Sequence, residues 1–212
     1  MRRQHLTQLF GTLIVAAALV ALPTVALAGI TGSAHDLSGN GWSGGEICAV
    51  CHTPHNADTT VGLGAPLWDH EVTTTDPFVI YSSTTLDGTV GQPTGVSKLC
   101  LSCHDGSVAI DSFGGTTGTV FMATFNSDAD FGTDLSNDHP ISIDYDVADL
   151  GLNPVGDPSG VPAGGTIDTD LLFSGNVECA SCHDVHREDE TTSFLLVKSN
   201  ALSDLCLTCH NK

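Results

Sequence analysis

Every cysteine in this 212-residue chain falls within one of four Cys-x-x-Cys-His runs. They lie at Cys48, Cys51 and His52; at Cys100, Cys103 and His104; at Cys179, Cys182 and His183; and at Cys206, Cys209 and His210. Two thiols at that spacing add across porphyrin vinyl groups to give thioethers, and the histidine that follows is placed to bind the iron from one face. Four covalently bound haem c groups are therefore expected. Other chemistries also use such pairs: a tetrahedral zinc centre, a disulfide framework in an exported chain, or a thioredoxin-like redox motif beside a βαβ unit. None of these gives a reason for a histidine directly after each pair, and no βαβ pattern is visible.

An iron bound by a motif histidine keeps a second axial position, filled by histidine, methionine or substrate. Met122 is the sole methionine after the initiator, so methionine serves at most one iron. Five histidines outside the motifs and the leader, His35, His55, His70, His139 and His186, are enough for four bis-histidine irons. Internal repetition chooses among them. Ser97 to His104 matches Ser203 to His210, and Cys48 to His55 matches Cys179 to His186. Each half reads as a lone histidine, a Cys-x-x-Cys-His-x-x-His run and a Cys-x-x-Cys-His run. That pattern selects His35, His55, His139 and His186 as distal iron ligands and leaves His70, flanked by Asp69 and Glu71, as a solvated residue. A lone histidine in an ordinary protein is a capping or loop residue; the vacancies and the repeat argue for ligation by His35 and His139.

Histidines three residues apart on a helix share one side, whereas trans ligands stand on opposite faces of a flat macrocycle. His55 and His186 must then serve haems other than those bound by the motifs beside them. The expected assignment gives His55 to the haem at Cys100, His186 to that at Cys206, His35 to that at Cys48 and His139 to that at Cys179.

The elements that position these groups follow from composition. Residues 1–28 read as a signal peptide, with Arg2 and Arg3, an apolar run from Leu9 to Leu22 and Ala26-Leu27-Ala28 as the cleavage signal. Export agrees with haem c attachment outside the cytoplasmic membrane. Gly29 rather than cysteine after the cleavage site argues against a lipid anchor, and no later apolar run approaches the roughly 20 residues of a membrane span. The expected location is extracellular or at the cell surface, with the periplasm as the alternative. The remaining 184 residues (212 less 28) divide into two tandem dihaem modules, 29–125 and 126–212, in one continuous haem-cored domain. One haem per 46 residues leaves little polypeptide for a separate apolar core. The fold expected is mostly irregular coil with a few short α-helices, the haems forming the core. Helices are expected over Ser97–His104 and Ser203–His210, loops over Thr73–Gly95 and Gly151–Thr169, and a short strand near Ile141–Tyr145. Asn126 to Gly132 is acidic like a calcium loop, but its glycine and closing glutamate are misplaced for an EF-hand. It reads as a solvated loop or a loose calcium site.

After the leader, Lys98, Arg187, Lys198 and Lys212 face 25 acidic residues, a formal charge of −21. Such a surface repels nucleic acid, whose binding rests on basic contacts to phosphate. It suits basic redox proteins, metal cations or positively charged minerals, and it equally serves plain solubility.

The stretch from Cys179 to His210 resembles the doubled Cys-x-x-Cys-His module of multihaem cytochromes. More widely, Gly32-Ser33-Ala34-His35-Asp36, Cys51 to Asn56, Pro66-Leu67-Trp68, Cys100 to Gly106 and Asn137-Asp138-His139-Pro140 are similar to tetrahaem cytochromes of metal-reducing bacteria. Some of that group are extracellular filaments in which haems run from subunit to subunit. The resemblance implies bis-histidine haems and long-range electron transfer, with redox proteins or extracellular metals and minerals as partners. Only Asn211 and Lys212 follow His210. Both a homopolymer, whose neighbouring subunit covers the last haem, and a monomer with one exposed haem edge remain open. The function expected is electron transfer at low potential, since histidine rather than methionine supplies the second ligand. The alternative is a catalytic or sensory cytochrome with one open-coordinate haem. The chain has no Cys-x-x-Cys-Lys and no His-Glu-x-x-His, so no enzyme is expected and no residue is assigned to catalysis.

Overall fold

A computed structural model describes residues 29–58, 65–187 and 193–211. The leader expected at 1–28 lies outside the described residues. The chain is mostly coil, as composition indicates, with four short α-helices and one two-stranded sheet among the described residues. Helix α1 spans Gly95–His104, α2 Met122–Phe125, α3 Ile167–Leu171 and α4 Asp204–Cys209. Strand β1, Ile143–Asp144, pairs antiparallel with β2, Asn176–Val177, in the register Ile143 to Val177 and Asp144 to Asn176. Helices α1 and α4 carry the second and fourth motifs almost where the spacing predicts them. The first and third motifs ride on tight turns; Cys179–Ser181 is a single 3-10 turn.

Local chemistry sets each boundary. Leu99 and Leu101 are buried in α1 beside Ser97 and Ser102, small residues that allow close packing. The helix stops after His104, where Asp105 N donates to Leu101 O at 2.9 Å and Gly106 turns left-handed at φ +70°. A Cβ at Gly106 would stand 2.8 Å from Asp130 Oδ1, so both the turn and the approach require glycine. Helix α3 opens inside a tract expected to be loop throughout, which extends to Thr169. Thr166 and Thr169 cap it reciprocally, at 2.9 and 3.3 Å, while Ile167 and Leu171, four residues apart, bury one face.

Two small apolar clusters flank the attachment helices. Leu101 of α1 packs with Phe78 and Leu135, and Leu205 of α4 with Leu171 and Val197. The Thr73–Gly95 loop is tied to α1 by a buried polar network. Thr73 N donates to Ser102 Oγ at 3.0 Å, and Thr73 Oγ1 donates to Asp105 Oδ2 at 2.5 Å. Such small clusters leave the space between them to be lined by the motifs themselves.

Candidate haem-binding site

Three of the four motif histidines are anchored by their far nitrogens. His52 Nδ1 lies 2.9 Å from Pro66 O, His104 Nδ1 2.7 Å from Ala129 O, and His183 Nδ1 2.8 Å from Phe194 O. A carbonyl only accepts, so Nδ1 carries the proton and Nε2 keeps its lone pair, the tautomer a metal requires. Phe131 stacks on His104 at 5.3 Å and 19°, fixing that ring's plane. The acidic Asn126 to Gly132 loop thus presents Ala129 O and Phe131 to a motif histidine, and no metal-holding group of acids lies there or elsewhere among the described residues.

For the first and third motifs the anchoring is itself duplicated. Thr53 N donates to Leu67 O and Asp69 N to Cys51 O, each at 2.9 Å. Asp184 N donates to Leu195 O at 2.8 Å and Val197 N to Cys182 O at 2.9 Å. Leu67 and Leu195 both adopt positive φ, 59° and 55°. Residues 66–69 and 194–197 are therefore the same clasp, closing over the histidine of each turn. Motif comparison alone misses it; the signal available was a leucine at the second position of both segments.

Non-motif histidines then meet motif histidines ring to ring. Ring centres lie 6.0 Å apart for His35 and His104, 6.0 Å for His52 and His186, and 6.4 Å for His139 and His210. A metal–imidazole bond of about 2 Å, with roughly 1 Å more to the ring centre, places two rings trans across one metal about 6 Å apart. The spacing fits a bis-histidine iron. His35 is held neutral: burial first, then His104, His183 and His186, lower its pKa from 6.5 to about 4. His35 Nδ1 and Trp68 Nε1 are buried without a hydrogen-bond partner among the described residues. Orphaned polar atoms of this kind beside the motif histidines also fit a bound group.

These pairs differ from the assignment expected from the repeat. His35 meets His104 rather than His52, His186 meets His52 rather than His210, and His139 meets His210 rather than His183. The reason is a fold-back that a linear repeat does not encode: Gly29 N donates to His186 O at 3.1 Å, laying the segment before His35 along the third motif. His55 and His183 remain. Both are exposed, and neither packs on another ring among the described residues. His70, expected in solvent, is only 3 % exposed. Its Nδ1 lies 2.7 Å from Glu71 O, and its Nε2 lies 3.2 Å from Ile110 O and 3.5 Å from Cys103 Sγ; a neutral imidazole donates from only one of these nitrogens.

The cysteines form a row in chain order. Cys103 is pushed up to about 12 by burial and then by Cys51 nearby. Cys179 N donates to Ser97 Oγ of the helix that carries Cys100, at 2.9 Å, and the two neighbouring thiols act on each other, raising Cys100 and lowering Cys179. Cys182 is pushed up to about 11 by burial and then by Cys209 and Cys206. Each motif thus borders the next, and the second and third touch. His35, Cys100, His104, Cys179, His183 and His139 line one cavity of about 920 Å³.

The protein family described as the doubled CXXCH motif matches residues 173–212, which hold the third and fourth motifs. No curated protein sequence matches the chain. The matched segment marks covalent attachment of haem c, as in multihaem c-type cytochromes, whose work is electron transfer between redox partners. No helix among the described residues is long and apolar enough to cross a membrane.

Proposed function

We propose that this chain is an exported tetrahaem electron carrier acting in extracellular or periplasmic respiration, its four haems in the order of their motifs. The carrying observation is the set of three ring pairs, each joining one motif histidine to one histidine outside the motifs at 6.0–6.4 Å. In this reading the eight cysteines hold the haem edges, and His52, His104, His183 and His210 bind iron from one side. His186, His35 and His139 complete the first, second and fourth irons. His55 and His70 are the distal candidates left over, and His55 would complete the third. Each bound iron supplies reversible one-electron exchange. The chain does the rest: backbone carbonyls fix the tautomer of three motif histidines, and two imidazoles per iron leave no position for substrate. Adjacent cysteines set the attachment sites in a row. The two dihaem modules, 29–125 and 126–212, would meet where Cys179 N donates to Ser97 Oγ at 2.9 Å.

A homopolymer is the second reading, and one observation favours it: His55 and His183 are both exposed without a ring partner among the described residues. A neighbouring copy would then supply His55 to His183. The acidic surface favours basic redox proteins, metal ions or positively charged minerals as partners.

Mass spectrometry of the protein purified from its exported fraction tests the count: four haem additions are expected, and fewer overturn the tetrahaem reading. Carbon monoxide tests the coordination. Slow, weak binding is expected of filled irons, while rapid binding at one haem turns the reading to the catalytic or sensory alternative. Electron microscopy of secreted material decides between single particles and filaments.

A further inference from the structure

Glu178 is 2 % exposed and directly precedes Cys179, where the second and third motifs touch. A buried carboxylate gives up hydration and needs compensation. No ion pair reaches it among the described residues. Instead, Ser97 Oγ donates to Oε2, and Ser142 Oγ stands 3.0 Å from Oε2 and 3.2 Å from Oε1.

Both hydroxyls are directed. Ser97 Oγ accepts from Cys179 N at 2.9 Å and Ser142 Oγ from Thr94 N at 3.0 Å, which leaves each hydroxyl proton for Glu178. The groups facing Glu178 are therefore Ser97 from α1, Ser142 from the loop before β1, and Ser181 and Cys179 from its own turn, with Cys100 beyond. None is a cation. Glu178 also lines the cavity shared by His35, His104 and His183. Burial raises its pKa above the usual carboxylate range, against the opposing pull of Ser97 and Ser142. Haem attachment and axial ligation make no use of it.

We propose that Glu178 is a positioning residue for charge, taking up a proton when an electron arrives at the haems of Cys100 and Cys179. The inference rests on the electron-transfer reading above. One electron from the donor protein reduces a ferric iron to ferrous; one proton from solvent bonds to a carboxylate oxygen of Glu178; on reoxidation both leave. The sign follows from Coulomb attraction. Ionised Glu178 favours the ferric state, so the potential of the central haems falls as pH rises from the ordinary carboxylate range through the raised value of Glu178. Below that range the group is neutral and the potential is level.

Spectroelectrochemical titration of the holoprotein against pH is the test, with Glu178→Gln and Glu178→Asp. Glu178→Gln keeps the shape and the serine bonds but cannot ionise. It is expected to abolish the downward shift of two haems, and Glu178→Asp to restore it. An unchanged pH dependence in Glu178→Gln, or a level wild-type titration, overturns the proposal while leaving reducible haems and the electron-carrier reading intact. Should Glu178→Gln fail to take up haem, redox-difference infrared spectra of the wild type decide. A carboxylic C=O band that grows on reduction and shifts in heavy water is expected, and its absence overturns the proposal.

Discussion

The middle of the cysteine row and its two ends are built differently. Cys100 and Cys179 are half-covered and in contact, whereas Cys48 and Cys206, the first cysteines of the outermost motifs, are exposed. Around the middle, Ser97 and Ser102 are fully buried, Leu101 is 1 % exposed, and Glu178 is held by directed hydroxyls. Around the last motif, Leu207 is half-exposed and Leu150 and Leu202 stand almost wholly in solvent. For a carrier this difference is functional. Under the proposed function, the interior would fix spacing and charge where electrons pass between the second and third motifs, and the open ends would be where partners approach.

Removing attachment cysteines breaks the contrast most severely. Cys100→Ala with Cys103→Ala is expected to leave three haems, lower the melting temperature and stop transfer from one end to the other. Cys206→Ala with Cys209→Ala is expected to leave three haems in a folded protein that still passes electrons within the first half. Haem mass, thermal melting and single-turnover reduction by donors read these outcomes, and equal effects at both places would erase the distinction.

Ligand variants sharpen it next. His35→Ala is expected to change the spectrum of the haem at Cys100 and leave that at Cys48 low-spin. The change should vanish when the Cys100 and Cys103 thiols are also replaced, as a double-mutant cycle requires. His186→Ala is expected to act on the haem at Cys48 instead. Paramagnetic resonance of the two single variants separates these sites, and the reverse pattern would restore the assignment read from the repeat.

Packing effects are smaller. Leu101→Ala should cost about 2–5 kcal/mol, and Leu205→Ala the lower end of that range, since Leu205 is 8 % exposed and already touches water. Denaturant midpoints measure both. Leu202→Ser, at 97 % exposure near the open end, should stay within about 0.5 kcal/mol of wild type. A large loss there would mean that the end is covered in the protein as it exists in solution.

Legibility followed the range of the interactions. The thiol spacing, the adjacent histidine and helices over the second and fourth motifs were readable because neighbours within one or two turns dictate them. The strand near Ile141–Tyr145 was readable in place; its partner at Asn176–Val177 was not. Helix α3 was missed because its signal is a cap of two threonines inside a polar tract. His70 was misread because its flanking acids suggest solvent, whereas its burial comes from Ile110, 40 residues on.

From the sequence alone came the anchoring chemistry, the doubled plan, the predominance of coil and the acidic surface, all properties of residues taken singly or within a few positions of one another. Tertiary folding decided which histidine faces which, placed Glu178 between the two central motifs and made one clasp twice. The physical reason is that a ring-to-ring distance or a buried carboxylate's surroundings arise only when distant segments pack. The bond from Gly29 to His186 spans nearly the whole described chain, and no local pattern announces it.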